Sequence, residues 1–104
     1  ILLLPTYWEG EGYPGIIIEA LSVGVPTIAT LWGGIPEIVE HNYNGILIPP
    51  NNNKALIKAI KSIDSTNFKK LSINASKSFE QFDAERTNNR ILSYLYNSND
   101  NKNN

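Results

Sequence analysis

Three glutamates are the residues of this chain whose type and spacing could do chemistry. Glu9 and Glu11 lie in a glycine-rich segment, and Glu19 follows Glu11 by eight positions. A carboxylate pair can do acid/base work or form the couple of a glycoside hydrolase, whereas most loop glutamates are simply solvated. Glu19 stands among apolar residues and could accept two hydrogen bonds from the neighbouring hydroxyls of a ribose. A salt bridge, or exposure at the edge of a helix, would explain Glu19 equally well.

The segment around the first two glutamates has the composition of a loop. Residues 5–15 include Pro5, Gly10, Gly12, Pro14 and Gly15. Glycines allow backbone N–H groups to face anionic oxygens, and the helix predicted next would point its positive end at the same place. A phosphate-bearing ligand suits this arrangement, but a plain glycine-rich turn accounts for it as well.

For the other candidate residues, the sequence context favours a structural role. Gly33-Gly34 before Pro36 is typical of a turn leading into a helix. His41, the only histidine, is predicted to lie on the surface just past a helix end. Three loop aromatics could stack on a base or sugar, with packing as the alternative: Tyr7, Trp8 and Trp32. The absence of cysteine excludes disulfides, thiolate zinc sites and cysteine nucleophiles.

The elements that must position these residues alternate between strand and helix. The pattern predicts a fully buried strand at 1–4, a largely buried helix at 16–23 ending at Gly24, a strand at 26–30, a short helix at 35–40 and a strand at 46–48. This order is typical of an α/β fold with a three-stranded parallel sheet and crossover helices. In such sheets ligands bind beyond the carboxyl ends of the strands, where the loop after the first strand lies.

The second half of the chain is predicted to be helical. Asn52 or Asn53 could cap a first helix, and apolar residues recur at spacings of three and four through residues 68–82. Asp83 is predicted to cap a last helix. The Asn-rich residues 97–104 are predicted to form a disordered tail after a single domain at 1–96.

The composition of the chain restricts the classes of function that it can have. The 104 residues are 41% hydrophobic and 18% charged, which is typical of a globular protein. The net charge of −1 and the absence of a basic run argue against a nucleic-acid partner. The apolar runs are far too short to span a bilayer.

Four blocks of sequence occur in a recognisable order. The first is Glu11-Gly12-Tyr13-Pro14-Gly15-Ile16-Ile17-Ile18-Glu19-Ala20-Leu21, in which two glutamates are separated by seven residues. The others are Gly24-Val25-Pro26-Thr27-Ile28-Ala29, Gly33-Gly34-Ile35-Pro36-Glu37-Ile38-Val39 and Asn44-Gly45-Ile46-Leu47-Ile48-Pro49. Together they resemble retaining glycosyltransferases of the GT-B architecture, in the large family 4, and the first block is similar to the family's E-x7-E motif. The resemblance implies part of a Rossmann-like, C-terminal donor-binding domain.

The resemblance also implies roles for individual residues. Glu19 would hold the ribose of a nucleotide diphosphate sugar, and Glu11 would contact the donor sugar near the reacting centre. Backbone groups around Gly12, Tyr13, Pro14 and Gly15 would face the sugar and diphosphate, although Pro14 has no N–H to donate. The resemblance also implies that basic side chains, rather than a metal or other cofactor, neutralise the diphosphate.

The resemblance finally implies a larger enzyme, which transfers sugar to a polysaccharide or glycolipid acceptor. The phosphate-binding Arg and Lys and the N-terminal acceptor domain would lie upstream, so the chain alone is expected to be inactive. The resemblance suggests a cytoplasmic location, with association at the inner face of the membrane through the missing half as one option. Two alternatives remain: a non-catalytic ligand-binding module, and a hydrolase built on Glu9 or Glu11.

Overall fold

A three-stranded parallel sheet forms the centre of the structure. The structure is a computed structural model that describes residues 1–7 and 15–102, with side chains described at 1–7 and 15–84. The strands are β1 (Leu2–Leu4), β2 (Thr27–Thr30) and β3 (Gly45–Ile48), in the order β1-β2-β3. Leu3 pairs with Ile28, which pairs with Ile46. The predicted α/β fold with a parallel sheet is confirmed.

Helices make the crossovers and follow the sheet. Helix α1 (Gly15–Ser22) joins β1 to β2, and a single turn of 3-10 helix (Ile35–Glu37) lies between β2 and β3. Helices α2 (Asn53–Ser62) and α3 (Ser65–Lys102) come after the last strand. Of the two residues predicted as possible caps, Asn52 caps α2. Its side-chain oxygen accepts a hydrogen bond from the Ala55 amide at 2.9 Å.

The helices cover the two faces of the sheet separately. Alternate residues of a strand point to opposite faces, so Ala29 packs with Ile17 and Leu21 of α1 and with Ala75 of α3. On the other face, buried residues of the sheet and of α2 form a second cluster: Ile28, Ile48 and Ala59. The sheet is therefore the middle layer, with α1 and α3 on one side and α2 on the other.

The strand predicted to be fully buried and the helix predicted to be largely buried are both more exposed than expected. Strand β1 is an edge strand, and Leu3 keeps 46% of its surface exposed because α2 packs mainly against β2 and β3. Helix α1 buries a narrow stripe at Ile17 and Leu21, whereas Ile16 and Val23 are 50% and 73% exposed. An apolar side chain is buried only where a neighbouring element covers it, and the sequence of one helix does not contain that information.

Glycine ends α1 and allows β2 and β3 to approach each other. Gly24 has a φ of +71°, and its amide donates to the Leu21 carbonyl at 3.0 Å, so it forms the predicted helix end. A Cβ at Gly45 would collide with the Thr27 carbonyl oxygen and would lie 2.9 Å from Cγ1 of Val39. Position 45 therefore admits no side chain without a shift of the two strands.

Helix α3 is continuous through the position where a break is expected. Asp83 lies inside it, so the prediction that Asp83 caps a separate helix is wrong. The helix extends to Lys102, into the segment expected to be a disordered tail. The division into a domain at residues 1–96 and a tail at 97–104 stays a prediction.

A buried asparagine fastens α3 to the turn before β3. The Asn44 amide nitrogen donates to the Ile38 carbonyl at 3.1 Å and to the Ser78 hydroxyl at 3.0 Å. Its side-chain oxygen accepts from the Glu40 amide at 2.8 Å. Asn74 adds a bond from α3 to the Tyr43 carbonyl at 3.0 Å. The bonds of Ser78 and Asn74 join positions 34 and 31 residues apart in sequence, and they complement the apolar contact between α1 and α3.

Candidate functional site

The carboxyl ends of the three strands meet at one edge of the sheet. Strand β2 lies between its two parallel neighbours, and Leu4, Thr30 and Ile48 are the last residues of the three strands. The Thr30 hydroxyl donates to the Thr6 carbonyl and so ties the segment after β1 to the end of β2. The loop that the sequence singles out thus leaves the sheet where ligands of parallel α/β folds bind.

A small depression of about 90 Å³ lies at this edge. It is lined by residues that follow β1 and β3 and by the start of α2: Pro5, Tyr7, Thr30, Ile48, Pro49, Asn51, Asn52, Asn53 and Leu56. Tyr7 is 60% exposed there, so its ring offers a face and a hydroxyl to a ligand. The sequence predicts Asn52 or Asn53 only as a helix cap and assigns no role to Asn51. Their position after the last strand is the signal that places them at the site.

Glu19 is exposed rather than buried. It lies beyond the first turn of α1, which contains no acidic residue. No hydrogen bond or ion pair of its carboxylate is found among the described residues. Ser22 bonds only the backbone oxygen of Glu19, at 2.6 Å. Of the alternatives left open by the sequence, exposure is observed, and the carboxylate is available to a ligand.

The start of α1 is open. Gly15 is exposed, and a Cβ built on it would meet nothing within 4 Å. The other residues predicted to contact a donor are Glu11, Gly12, Tyr13 and Pro14, and they lie outside the described residues, as do Glu9 and Trp8. Their predicted roles remain predictions.

The second glycine loop and the histidine have structural roles. Gly33 has a φ of +55° and forms a turn with Gly34, after which the 3-10 helix begins with Pro36 in its first positions. His41 is exposed, and its Nδ1 accepts a hydrogen bond from the Leu47 amide at 3.0 Å. Within the described ranges no three His, Cys, Asp or Glu side chains converge as metal ligands would. No helix there is long and apolar enough to cross a membrane.

Comparison with known proteins identifies close similarity over most of the chain. Residues 1–81 match the family described as glycosyl transferases group 1. WcaL of Escherichia coli K12, named as a colanic acid biosynthesis glycosyltransferase, is 34% identical over 102 residues, which cover 91% of this chain and 25% of WcaL.

Two solved structures superpose well on this fold. Sucrose-phosphate synthase from Thermosynechococcus elongatus matches with a TM-score of 0.73 and 27% identity, over 92% of this chain and 25% of that protein. Anabaena HepE in complex with UDP-glucose matches with a TM-score of 0.73 and 29% identity, over 88% of this chain and 25% of HepE. The chain thus spans about a quarter of the length of these relatives.

Proposed function

This chain belongs to the family of glycosyl transferases group 1, and we propose that it forms the donor-binding part of a retaining glycosyltransferase. The enzyme transfers a sugar from a nucleotide diphosphate sugar to a polysaccharide or glycolipid acceptor. The observation that supports this most directly is the match to HepE, which was solved with UDP-glucose bound, together with an open crevice at the carboxyl edge of the sheet.

Glu19 is the proposed ribose-binding residue. Its carboxylate has two oxygens that can accept bonds from two adjacent hydroxyls, and no described side chain competes for them. Because Glu19 is exposed, its carboxylate is in contact with solvent in the free protein. Hydrogen bonds to an ionised group contribute about 1.5–3 kcal/mol each, so one such contact changes affinity by at least about tenfold.

The loop before α1 is the proposed site of the sugar and diphosphate. Glu11 contacts the donor sugar near the reacting centre and is the proposed catalytic residue. The backbone around Gly12, Tyr13 and Gly15 approaches the sugar and diphosphate, while Pro14 shapes the loop without donating. The exposed start of α1 at Gly15 supports this proposal, because the first N–H groups of a helix are unpaired and favour an anion.

The diphosphate charge calls for cations that the first half of this chain does not contain. The first basic residue in the sequence is Lys54, so residues 1–53 have no Lys or Arg. We therefore propose that basic side chains of a longer protein neutralise the diphosphate, without a metal or other cofactor. The same protein would contribute an N-terminal acceptor-binding domain and would work in the cytoplasm, at the inner face of the membrane when its acceptor is a lipid.

Titration calorimetry of the full-length gene product with UDP-glucose tests the proposal. Glu19→Gln keeps the shape of the side chain and removes the charge, and Glu19→Ala removes both oxygens. We expect Kd to rise by at least about tenfold for Glu19→Gln and further for Glu19→Ala. Glu80→Gln is the matched control, since Glu80 is also an exposed helical glutamate but lies on α3.

Three outcomes would distinguish the alternatives. Equal affinities for Glu19→Gln and Glu80→Gln would remove Glu19 from the donor site. Binding of UDP-glucose by the full-length protein with no sugar transfer to any acceptor would indicate the non-catalytic module instead. Cleavage of aryl glycosides that is lost in Glu11→Gln would indicate the hydrolase.

A further inference from the structure

Helix α2 has one buried face and one face that no described element covers. Ala55, Leu56 and Ala59 pack onto β2 and β3, as part of the cluster around Ile28 and Ile48. These positions occupy one side of a helix with 3.6 residues per turn. The opposite side consists of residues spaced by three and four: Lys54, Ile57, Lys58 and Lys61.

This outward face combines positive charge with an exposed isoleucine. Ile57 is 52% exposed between the lysines, and the four residues border one shallow depression together with Ser62. No ion pair of the three lysines is found in the part of the chain that the structure describes. Asp64, the acidic residue nearest in sequence, accepts from the Thr66 and Asn67 amides at 2.9 Å, and so caps α3.

More apolar surface lies beside the lysines. Ile60 is 44% exposed on the flank of α2. The outward face of α2 is therefore cationic, with exposed aliphatic groups within and beside it.

Basic and acidic residues are unevenly distributed between the two halves of the chain. All nine Lys and Arg residues come after Asn53, whereas five of the ten acidic residues come before it. Those five are Glu9, Glu11, Glu19, Glu37 and Glu40. The basic character is thus concentrated in the helical half, although the net charge of the chain is −1.

We propose that the outward face of α2 docks on the surface of an anionic phospholipid membrane. Lysine stems lie along apolar surface while their ammonium groups reach headgroup phosphates, and Ile57 enters the boundary between headgroups and acyl chains. An isoleucine placed among the lysines favours a partner with an apolar layer beneath its charges. A nucleic acid, whose charged backbone is its outer surface, offers no such layer to Ile57.

This surface shares no lining residue with the depression at the strand ends. Lys54, Ile57, Lys58 and Lys61 border one depression, whereas α2 contributes Asn53 and Leu56 to the other. Helix α1, which contains Glu19, packs on the opposite face of the sheet from α2. The inference therefore does not depend on donor binding, and changes on the outward face of α2 are expected to leave UDP-glucose affinity unchanged.

Vesicle co-sedimentation of the full-length protein tests the proposal. The vesicles are phosphatidylcholine alone or phosphatidylcholine with about 30% phosphatidylserine, at an ionic strength of about 0.1 M. The triple variant Lys54→Gln/Lys58→Gln/Lys61→Gln removes the charge of the α2 face. The control Lys69→Gln/Lys70→Gln/Lys77→Gln removes the same charge from exposed positions of α3, on the other side of the sheet.

The wild type is expected to bind the anionic vesicles and to dissociate as salt is raised. Each lysine near the surface contributes about fivefold to partitioning, so the α2 triple variant should bind on the order of 100-fold more weakly, and the α3 control should change much less. Ile57→Ser should weaken binding several-fold without altering its salt dependence. Circular dichroism of each variant is the control for folding, and these exposed substitutions are expected to leave the spectrum unchanged.

Several results would overturn the proposal. Equal losses in the two triple variants would show that net charge alone drives binding. Binding to phosphatidylcholine alone, or no binding to either vesicle, would exclude an anionic lipid partner. The proposal would also fail if the protein bound a nucleic acid more strongly than vesicles and lost that binding in the α2 triple variant. The partner of this face would then be a nucleic acid rather than a membrane.

Discussion

Replacing Asn44 with alanine should destabilise the protein through the loss of three hydrogen bonds. Asn44 is only 2% exposed and joins Ile38, Glu40 and Ser78. In the variant the Ile38 carbonyl loses a partner in a buried position, where water does not easily replace the lost amide. The Glu40 amide and the Ser78 hydroxyl are only partly buried, so water can restore part of their bonding.

The magnitude follows from these differences in burial. A buried group left unpaired costs about 1–3 kcal/mol, and each replaceable bond costs about 0.5–1.5 kcal/mol. The free energy of unfolding should therefore fall by about 2–6 kcal/mol, and we expect about 3 kcal/mol. Domains of this size are stable by only about 5–15 kcal/mol, so the change is large.

Urea unfolding followed by far-UV circular dichroism measures this change. With a slope of about 1–3 kcal/mol per molar urea, a loss of about 3 kcal/mol lowers the midpoint by about 1–3 M. Asn53→Ala is the control, because Asn53 is an exposed residue at the start of α2 and should change stability by no more than about 0.5 kcal/mol. If Asn44→Ala and Asn53→Ala unfold at the same urea concentration, the network does not hold α3 to the sheet.

Three further predictions follow from the packing and the charge distribution. Gly45→Ala should destabilise the protein by about 1–3 kcal/mol or more in the same urea assay, because the added Cβ collides with the Thr27 carbonyl. The control Gly15→Ala has free space and should be neutral or slightly stabilising. A neutral effect of Gly45→Ala would contradict the close approach of β2 and β3. Ile28→Ala should cost about 2–5 kcal/mol, and Leu3→Ala clearly less, since Ile28 is 1% exposed and Leu3 46%; equal costs would mean that β1 is covered in solution. The 104-residue chain, assayed alone with nucleotide sugars, should show no transfer, because residues 1–53 contain no cation for the diphosphate; measurable turnover would refute this.

Local sequence was sufficient to predict much of the fold. Alternation of short apolar runs with helical segments predicted the parallel sheet, because parallel strands need long crossover connections and these are usually helical. Gly24 predicted the end of α1, since few other residues adopt its positive φ. The family of the chain was also evident from four short blocks, one of which begins with Gly24. The proposed site at the strand ends follows from the same pattern, because parallel strands bring their carboxyl ends together.

Burial and long-range partners depended on how the elements pack. Leu3 and Ile28 are both apolar residues of predicted strands, but Leu3 lies on an edge strand and Ile28 lies between two strands and under α2. Nothing near Asn44 in the sequence indicates that it bonds Ser78, which lies 34 residues away. Exposure and hydrogen-bond satisfaction are properties of pairs of elements, and they are defined once the chain brings distant segments into contact. Turn and helix-end preferences depend instead on a few neighbouring backbone angles, which the local residues set directly.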